Sequence, residues 1–194
     1  MINHKLKYVF IHIPKCAGIS VKTAIGINYM NVEPAEAHFP ACVLRLSPVW
    51  NNYFKFTFVR NTWDRWLSIY TYNQKENPNI ISEGFEVWMK RVFANSQNPP
   101  RLSQMFWICN TWLKDGGTKH DMDFIGRFEN LEKDFQFICN KLKIKSQLPH
   151  VNSTNHRHYS TYYSDSLIDL VAEKCAVEIK YFGFTFKRKS KTFL

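Results

Sequence analysis

The sequence lacks any long apolar run and any close spacing of cysteines. No stretch approaches the roughly 18–20 apolar residues that cross a bilayer, and the first residues show no apolar stretch followed by a small-residue cleavage site. The five cysteines are scattered, odd in number and without a C-x-x-C pair, which argues against a disulfide framework or a cysteine zinc site. We therefore expect reduced thiols, no transmembrane segment and a cytoplasmic location.

The composition is that of a folded, basic protein. Hydrophobic residues make up 45 % of the 194 residues and aromatic residues 16 %, which excludes a disordered chain. Without an internal repeat or linker, the length predicts one domain over residues 1–194. The net charge of +10 favours polyanionic partners, and nucleic acid, acidic glycan and phosphorylated nucleotide all qualify.

Strand-like and helix-like patterns alternate along the chain. Apolar, β-branched and aromatic runs predict buried strands at residues 7–13, 53–59 and 123–128. A polar stretch over residues 146–164 predicts an extended loop, and the Asn-Pro-Pro run at 98–100 separates two helices. Helices are predicted from near residue 20, and over 62–73, 82–94, 101–113, 129–142 and 165–182. This order predicts an α/β fold with a central parallel sheet flanked by helices, whose ligands bind beyond the carboxyl ends of the strands.

The first strand-to-helix turn, P-K-C-A-G-I-S at residues 14–20, has the features of a phosphate-binding loop. Small residues let backbone N–H groups face a ligand, and Lys15 can reach a bound anion. Gly18 allows close approach, and Ser20 can cap the helix or donate to a phosphate. A Walker A loop places its lysine after the last glycine, so an ordinary ATP or GTP loop is not expected. An ordinary turn with a capping serine and a surface lysine is the alternative.

The second turn places an arginine where a buried strand ends. Arg60 can clamp a phosphate with two N–H groups, and Ser68 follows two helical turns later. Ser68 and Asp64 are four residues apart and share one helix face. The alternative interpretation is a structural ion pair between Arg60 and Asp64.

Together these segments resemble the carbohydrate branch of the sulfotransferase superfamily. F-I-H-I-P-K-C-A-G-I-S (10–20) resembles its 5′-phosphosulfate loop, and F-V-R-N-T-W-D-R-W-L-S (58–68) its 3′-phosphate motif. F-I-G-R-F-E-N-L-E-K-D-F (124–135), L-P-H-V-N (148–152), the Tyr-Tyr pair at 162–163 and Y-F-G-F (181–184) are also similar to that branch. The resemblance implies a P-loop-like nucleotide-binding fold and covers nearly the whole chain.

The resemblance implies 3′-phosphoadenosine 5′-phosphosulfate (PAPS) as sulfuryl donor, with no metal. Two residues depart from the family pattern, because Ile19 replaces the usual threonine of the loop and Thr62 replaces a proline. The first departure removes a hydroxyl from the 5′-phosphate, whereas proline is favoured but not required at the start of a helix. The residues implied in donor binding are Lys15, Cys16, Ala17, Gly18, Ile19, Ser20, Arg60, Ser68, Arg127, Asn152, Ser153 and Arg157.

The resemblance also implies the catalytic groups. Lys15 would stabilise the leaving phosphate, and His38 is predicted to be the base, with Glu36 or His12 next. A carbohydrate, neutral or acidic, is the expected acceptor, while flavonoid, lipid and protein tyrosine acceptors stay open. Three alternatives stay open as well: a nucleotide phosphotransferase or hydrolase, a nucleic-acid-binding module, and a sulfotransferase fold that binds nucleotide without turnover.

Overall fold

The computed structural model describes residues 1–26, 38–77, 82–95, 103–110, 118–149 and 157–189. The chain divides into two compact units. The first comprises Met1–Arg60 and Ser103–Ser153, and the second comprises Asn61–Leu102 and Thr154–Leu194. The chain therefore leaves the first unit directly after Arg60. One domain over residues 1–194 stays a prediction.

The first unit contains a four-stranded sheet. Its strands are β1 (Ile2–Asn3), β2 (Tyr8–Ile11), β3 (Phe54–Val59) and β4 (Phe124–Arg127), and they lie side by side in that order. β1 is antiparallel to β2, while β2, β3 and β4 are parallel to one another. The predicted α/β class, with a mainly parallel sheet flanked by helices, is confirmed. β1 was not predicted, because two residues carry no detectable period.

Eight helices are described. In the first unit these are α1 (Gly18–Ala24), α2 (Ala41–Leu44), α5 (Gln104–Ile108) and α6 (Leu131–Leu142). In the second unit they are α3 (Thr62–Glu76), α4 (Phe85–Asn95), α7 (Asp165–Lys174) and α8 (Ala176–Phe182). Short 3-10 turns occur at Trp50–Asn52, Phe128–Asn130 and Tyr159–Tyr162.

The strands of the first unit form its core. All four residues of β2 are buried, as are the last five of β3, which explains their near-continuous apolar sequences. Phe58 pairs with Gly126 across β3 and β4. A Cβ at Gly126 would come within 2.5 Å of the Phe58 ring, so glycine leaves the space that this ring fills. Tight packing at this point fixes the register in which both strands end.

The second unit packs around one face of α3. Trp63, Trp66 and Leu67 are buried there, and the Tyr163 hydroxyl donates to the Trp63 carbonyl at 2.8 Å. Thr62, the replacement for proline, donates from Oγ1 to the buried Glu178 carboxylate at 2.8 Å. This threonine therefore satisfies a buried acid, a role that proline has no donor to fill.

Two predicted helices differ from the structure. The helix predicted over 101–113 ends at Ile108, with Cys109 and Asn110 non-helical and residues 111–113 outside the described residues. The helix predicted over 165–182 breaks at Cys175 into α7 and α8, and it ends at Gly183 as predicted. The predicted loop over 146–164 contains the 3-10 turn at Tyr159–Tyr162. The Asn-Pro-Pro breaker lies outside the described residues.

Candidate active site

The loop between β2 and α1 turns through two left-handed residues. Lys15 has φ 68° and Ala17 has φ 61°, in a region that costs an ordinary residue roughly 1–2 kcal/mol. Strain of this kind is concentrated at ligand-binding and catalytic sites. Between them, the buried Cys16 places its Sγ 3.5 Å from Oε1 of Gln104. The loop is thus held in a strained conformation just before α1.

The start of α1 corrects one detail of the prediction. The helix begins at Gly18, so the N-cap position is Ala17, and no side-chain hydrogen bond caps it. Ser20 is the third helical residue and is buried, so its predicted capping role is wrong. A contact from Ser20 to a phosphate stays a prediction. Ile19, the departure from the family pattern, is 37 % exposed.

Arg60 joins the end of β3 to this loop. Its Nη1 donates to the Lys15 carbonyl at 3.2 Å, and its guanidinium carbon lies 4.0 Å from the centre of the Phe128 ring. The side chain is buried, with 7 % of the residue exposed. Two contacts therefore orient a permanent positive charge beside the first turn. The structure brings the two predicted turns together at this point.

Gln104 is a site residue that the sequence did not reveal. This fully buried side chain on α5 accepts from the Arg60 backbone N–H at 2.8 Å and donates to the Arg60 carbonyl at 2.9 Å. The same Oε1 faces the Cys16 thiol. The amide group of Gln104 thus contacts both turns. No local pattern marks such a glutamine, because its partners are far away in the sequence.

His38, the predicted base, lies against His12. The ring centres are 4.3 Å apart, and Nδ1 of His38 is 3.3 Å from the His12 carbonyl oxygen. Trp107 meets the His38 ring edge-on at 6.1 Å. Burial lowers the pKa of His38 from its ordinary value, and the positive charges of Lys22 and the Met1 amine lower it further, against the opposing effect of the His12 carbonyl. The His38 imidazole therefore stays neutral down to a pH below the ordinary pKa of histidine.

Lys22 is a buried lysine whose positive charge acts on this histidine. It lies on α1, one turn after Gly18, and its side chain is fully buried. Burial lowers its pKa to about 8, since desolvation disfavours the charged form. The sequence analysis did not single out Lys22, because a lysine in a short helix is usually solvated.

The other predicted residues are divided between the two units. Arg127 is the last residue of β4 and pairs with Val59, so it lies at the same end of the sheet as Arg60. Its backbone N–H donates to the Asp134 carboxylate at 2.6 Å. Ser68, buried on α3, and the exposed Arg157 belong to the second unit. Glu36, Asn152 and Ser153 lie outside the described residues.

In the described ranges, no group of three or more His, Cys, Asp or Glu side chains could hold a metal ion. No helix in those ranges is both long and apolar enough to span a membrane. All five cysteines are described, and none of them forms a disulfide bond.

Comparison with models of known protein families identifies the family of this chain. Residues 1–185 match a family model described as the sulfotransferase family. The chain belongs to the sulfotransferase family. This match confirms the resemblance to the sulfotransferase superfamily and extends over both units of this sulfotransferase. No curated protein and no solved structure matches the chain. Membership supports sulfuryl transfer in general.

Proposed function

We propose that this sulfotransferase moves a sulfuryl group from PAPS to a hydroxyl group of a carbohydrate. The observation that carries the proposal is the hydrogen bond from Arg60 to the Lys15 carbonyl. It joins the two turns that resemble the 5′-phosphosulfate and 3′-phosphate motifs. A donor with one phosphate group at each end of a ribose is the ligand that suits this pairing.

The described residues fit such a donor. The guanidinium of Arg60 is buried and oriented by Phe128, which suits a two-pronged contact to the 3′-phosphate. The strained loop at 14–17 supplies backbone N–H groups and the Lys15 side chain for the 5′ end. Ser20, Arg127 and, from the second unit, Ser68 and Arg157 are proposed to complete donor binding, together with Asn152 and Ser153.

The proposed reaction needs no metal. The acceptor hydroxyl gives its proton to Nε2 of His38 while its oxygen forms a bond to sulfur. The bond between sulfur and the bridging oxygen breaks, and that oxygen leaves with the 5′-phosphate. Lys15 stabilises the negative charge that develops there. Glu36 is the alternative base.

The nature of the acceptor rests on the carbohydrate branch that the motifs resemble. A net charge of +10 also favours an acidic acceptor over a neutral one. We further propose that transfer takes place in the cytoplasm, in keeping with five cysteines that form no disulfide bond. Nucleic acid is not proposed as a partner.

The decisive experiment measures transfer and binding separately. The protein is incubated with labelled PAPS and a panel of neutral and acidic glycans, flavonoids, lipids and tyrosine peptides, and products are identified by mass spectrometry. Calorimetry in EDTA compares adenosine 3′,5′-bisphosphate with AMP and ATP. Sulfated glycan and preference for the bisphosphate are expected.

Other outcomes would contradict the proposal. Equal affinity for AMP, or an absolute need for Mg²⁺, would favour the phosphotransferase alternative. Tight bisphosphate binding without any sulfated product would favour a nucleotide-binding protein without turnover. Binding of an oligonucleotide that survives 200 mM salt would favour the nucleic-acid module, since non-specific charge attraction weakens steeply by about that concentration.

A further inference from the structure

The His12 imidazole occupies the space between the predicted base and the first turn. The residue is 5 % exposed. Its ring stacks on Phe10 with the ring centres 6.0 Å apart, and it is tilted by 33° against the His38 ring with the centres 4.3 Å apart. A Cβ built on Gly18 would overlap with Cδ2 and Nε2 of the His12 ring. One side chain is therefore in contact with both the start of α1 and the base.

The backbone of His12 also determines where the His38 proton lies. Nδ1 of His38 is 3.3 Å from the His12 carbonyl oxygen, and a carbonyl oxygen can only accept. In the neutral ring the proton therefore belongs on Nδ1. Nε2 keeps its lone pair and is the atom that can take a proton from an acceptor.

We propose that His12 is a positioning residue, which fixes the Nδ1–H tautomer of His38 through its carbonyl and the plane of the His38 ring through its own ring. The proposal rests on the proposed function, in which His38 is the base. It assigns His12 a role distinct from catalysis, since its ring is wedged between Phe10, Gly18 and His38.

The same geometry gives Gly18 a second purpose. In a phosphate-binding loop, a glycine is usually explained by close approach of the ligand. Here the missing side chain also leaves the space that His12 fills. A methyl group at Gly18 would displace the His12 ring toward other neighbours, and His38 would lose its support. The first turn and the base are thus mechanically coupled.

The charges around His38 agree with this arrangement. Burial, Lys22 from α1 and the Met1 amine all lower the pKa of His38, and the His12 carbonyl alone raises it. Two imidazoles whose centres are 4.3 Å apart also disfavour double protonation. His38 therefore stays neutral at the pH where a base is needed.

The first test needs no substrate. Nitrogen NMR of the full-length ¹⁵N-labelled protein reports the tautomer and the titration of His38. We expect the Nδ1–H form, with a midpoint below the ordinary value of about 6.5. In His12→Ala the backbone carbonyl remains, so the Nδ1–H tautomer should persist. The midpoint should rise toward the ordinary value, because His38 loses the ring that covers it and becomes more hydrated. His4→Ala, which removes an exposed histidine beside Tyr53, is the matched control and should change neither.

An Nε2–H tautomer in the unaltered protein would overturn the proposal, and that measurement needs no variant to fold. An unchanged titration midpoint of His38 in a folded His12→Ala protein would overturn the role assigned to the His12 ring. Since both readouts are independent of sulfuryl transfer, they remain decisive even if no acceptor is found and the proposed function fails.

The second test is a double-mutant cycle on the rate of a single turnover. Gly18→Ala alone should slow it by about 10²-fold, the usual effect of misplacing a catalytic group by about 1 Å. If the His12 ring causes the clash, Gly18→Ala combined with His12→Ala should be no slower than His12→Ala alone. Additive losses would show that Gly18 serves only the ligand. Calorimetry with adenosine 3′,5′-bisphosphate on the same variants separates donor binding from the rate.

Discussion

Nη1 of Arg60 donates a hydrogen bond to the backbone carbonyl of Lys15 at 3.2 Å. The two residues lie 45 positions apart in the sequence; Arg60 directly follows β3, and Lys15 lies in the turn that follows β2. Because parallel strands end at one edge of the sheet, the fold itself creates this contact. Arg60 therefore holds the loop through this bond, and its role in binding the 3′-phosphate is part of the proposed function.

Replacement of Arg60 should reduce discrimination for the 3′-phosphate. Arg60→Ala is expected to weaken PAPS binding relative to adenosine 5′-phosphosulfate by about 1.5–3 kcal/mol, the usual value of hydrogen bonds to charged groups. Arg60→Lys keeps the positive charge but loses the paired N–H donors of the guanidinium, so it should recover only part of the preference for PAPS. Calorimetry with both donors measures the effect.

The control for Arg60 is Arg45→Ala, which removes an arginine from a half-exposed ion pair with Asp121. It should leave the affinity for both donors unchanged. If Arg60→Ala weakens both donors equally, Arg60 acts through the loop alone and its assignment to the 3′-phosphate is wrong.

Gln104 should be more important for stability than any sequence pattern suggests. Gln104→Ala leaves the buried N–H of Arg60 without the amide oxygen that accepts from it, which costs about 1–3 kcal/mol. We expect a loss of about 2–3 kcal/mol in the free energy of unfolding, measured by urea denaturation. The exposed Gln136, whose amide bonds only to Asn140, is the matched control, and Gln136→Ala should change stability by less than about 0.5 kcal/mol. Equal effects of the two changes would contradict the role of Gln104.

The sheet was predictable because its signals are local. The runs that form β2 and β3 are apolar over their whole length, as strands buried on both faces must be. The break at Cys175 left no such signal. Leu167 and Val171 before it and Phe182 after it keep helical spacing and are all buried, so the apolar period continues across the break. One non-helical residue does not interrupt a pattern read over 18 positions.

The sequence motifs of the site were predictable, whereas the buried residues that pack around them were not. Lys15 and Arg60 belong to recognisable sequence motifs in the turns that follow β2 and β3. Gln104 and Lys22 act through burial and through partners distant in sequence, which one sequence does not reveal. The sequence predicts His12 as a packed strand residue or an alternative base, and it does not reveal the contacts of this residue with Gly18 and His38.

Lys22 should make stability depend on alkaline pH. Its pKa is about 8 in the folded protein and about 10.4 in the unfolded chain. Between these values the unfolded chain holds more protons, so stability rises with pH in that window. Lys22→Met lacks this titration, and it should be more stable than the unaltered protein at pH 7, because no charge is buried.

The measurement is the difference in unfolding free energy between Lys22→Met and the unaltered protein. This difference should be constant below pH 8 and shrink above it. Lys90→Met removes an exposed lysine that pairs with Glu86. Its difference in unfolding free energy from the unaltered protein should not shrink above pH 8. A Lys22→Met protein that is less stable at pH 7 would mean that the contacts of Lys22 outweigh the cost of burial.

His38 should control the chemical step without affecting donor binding. His38→Ala is expected to slow a single turnover by about 10²–10⁴-fold, with unchanged affinity for adenosine 3′,5′-bisphosphate. The rate of the unaltered protein should fall as His38 protonates, at a pH below about 6.5 because the pKa is lowered. His38→Ala should abolish that acid limb, whereas Lys15→Ala should slow turnover and retain it. Near-normal turnover with an unchanged acid limb would transfer the role of base to Glu36.

Ile19 offers a gain rather than a loss of affinity. The family usually has threonine here, and Ile19 is exposed on the first turn of α1, so a smaller polar side chain costs little packing. Ile19→Thr should restore a hydroxyl donor near the 5′ end of the nucleotide. A hydrogen bond to a charged group contributes about 1.5–3 kcal/mol, which corresponds to a gain of about 10–150-fold in affinity. Calorimetry with adenosine 3′,5′-bisphosphate measures it.

The matched control is Ile19→Val, which keeps the branched shape of threonine but has no hydroxyl. Its affinity should equal that of the unaltered protein, so any gain in Ile19→Thr belongs to the hydroxyl. The gain should also require the 5′-phosphate, and adenosine 3′-monophosphate should bind all three proteins equally. If Ile19→Thr and Ile19→Val behave alike, the side chain at position 19 does not reach the donor. The first turn would then hold the 5′-phosphate through its backbone and Lys15 alone.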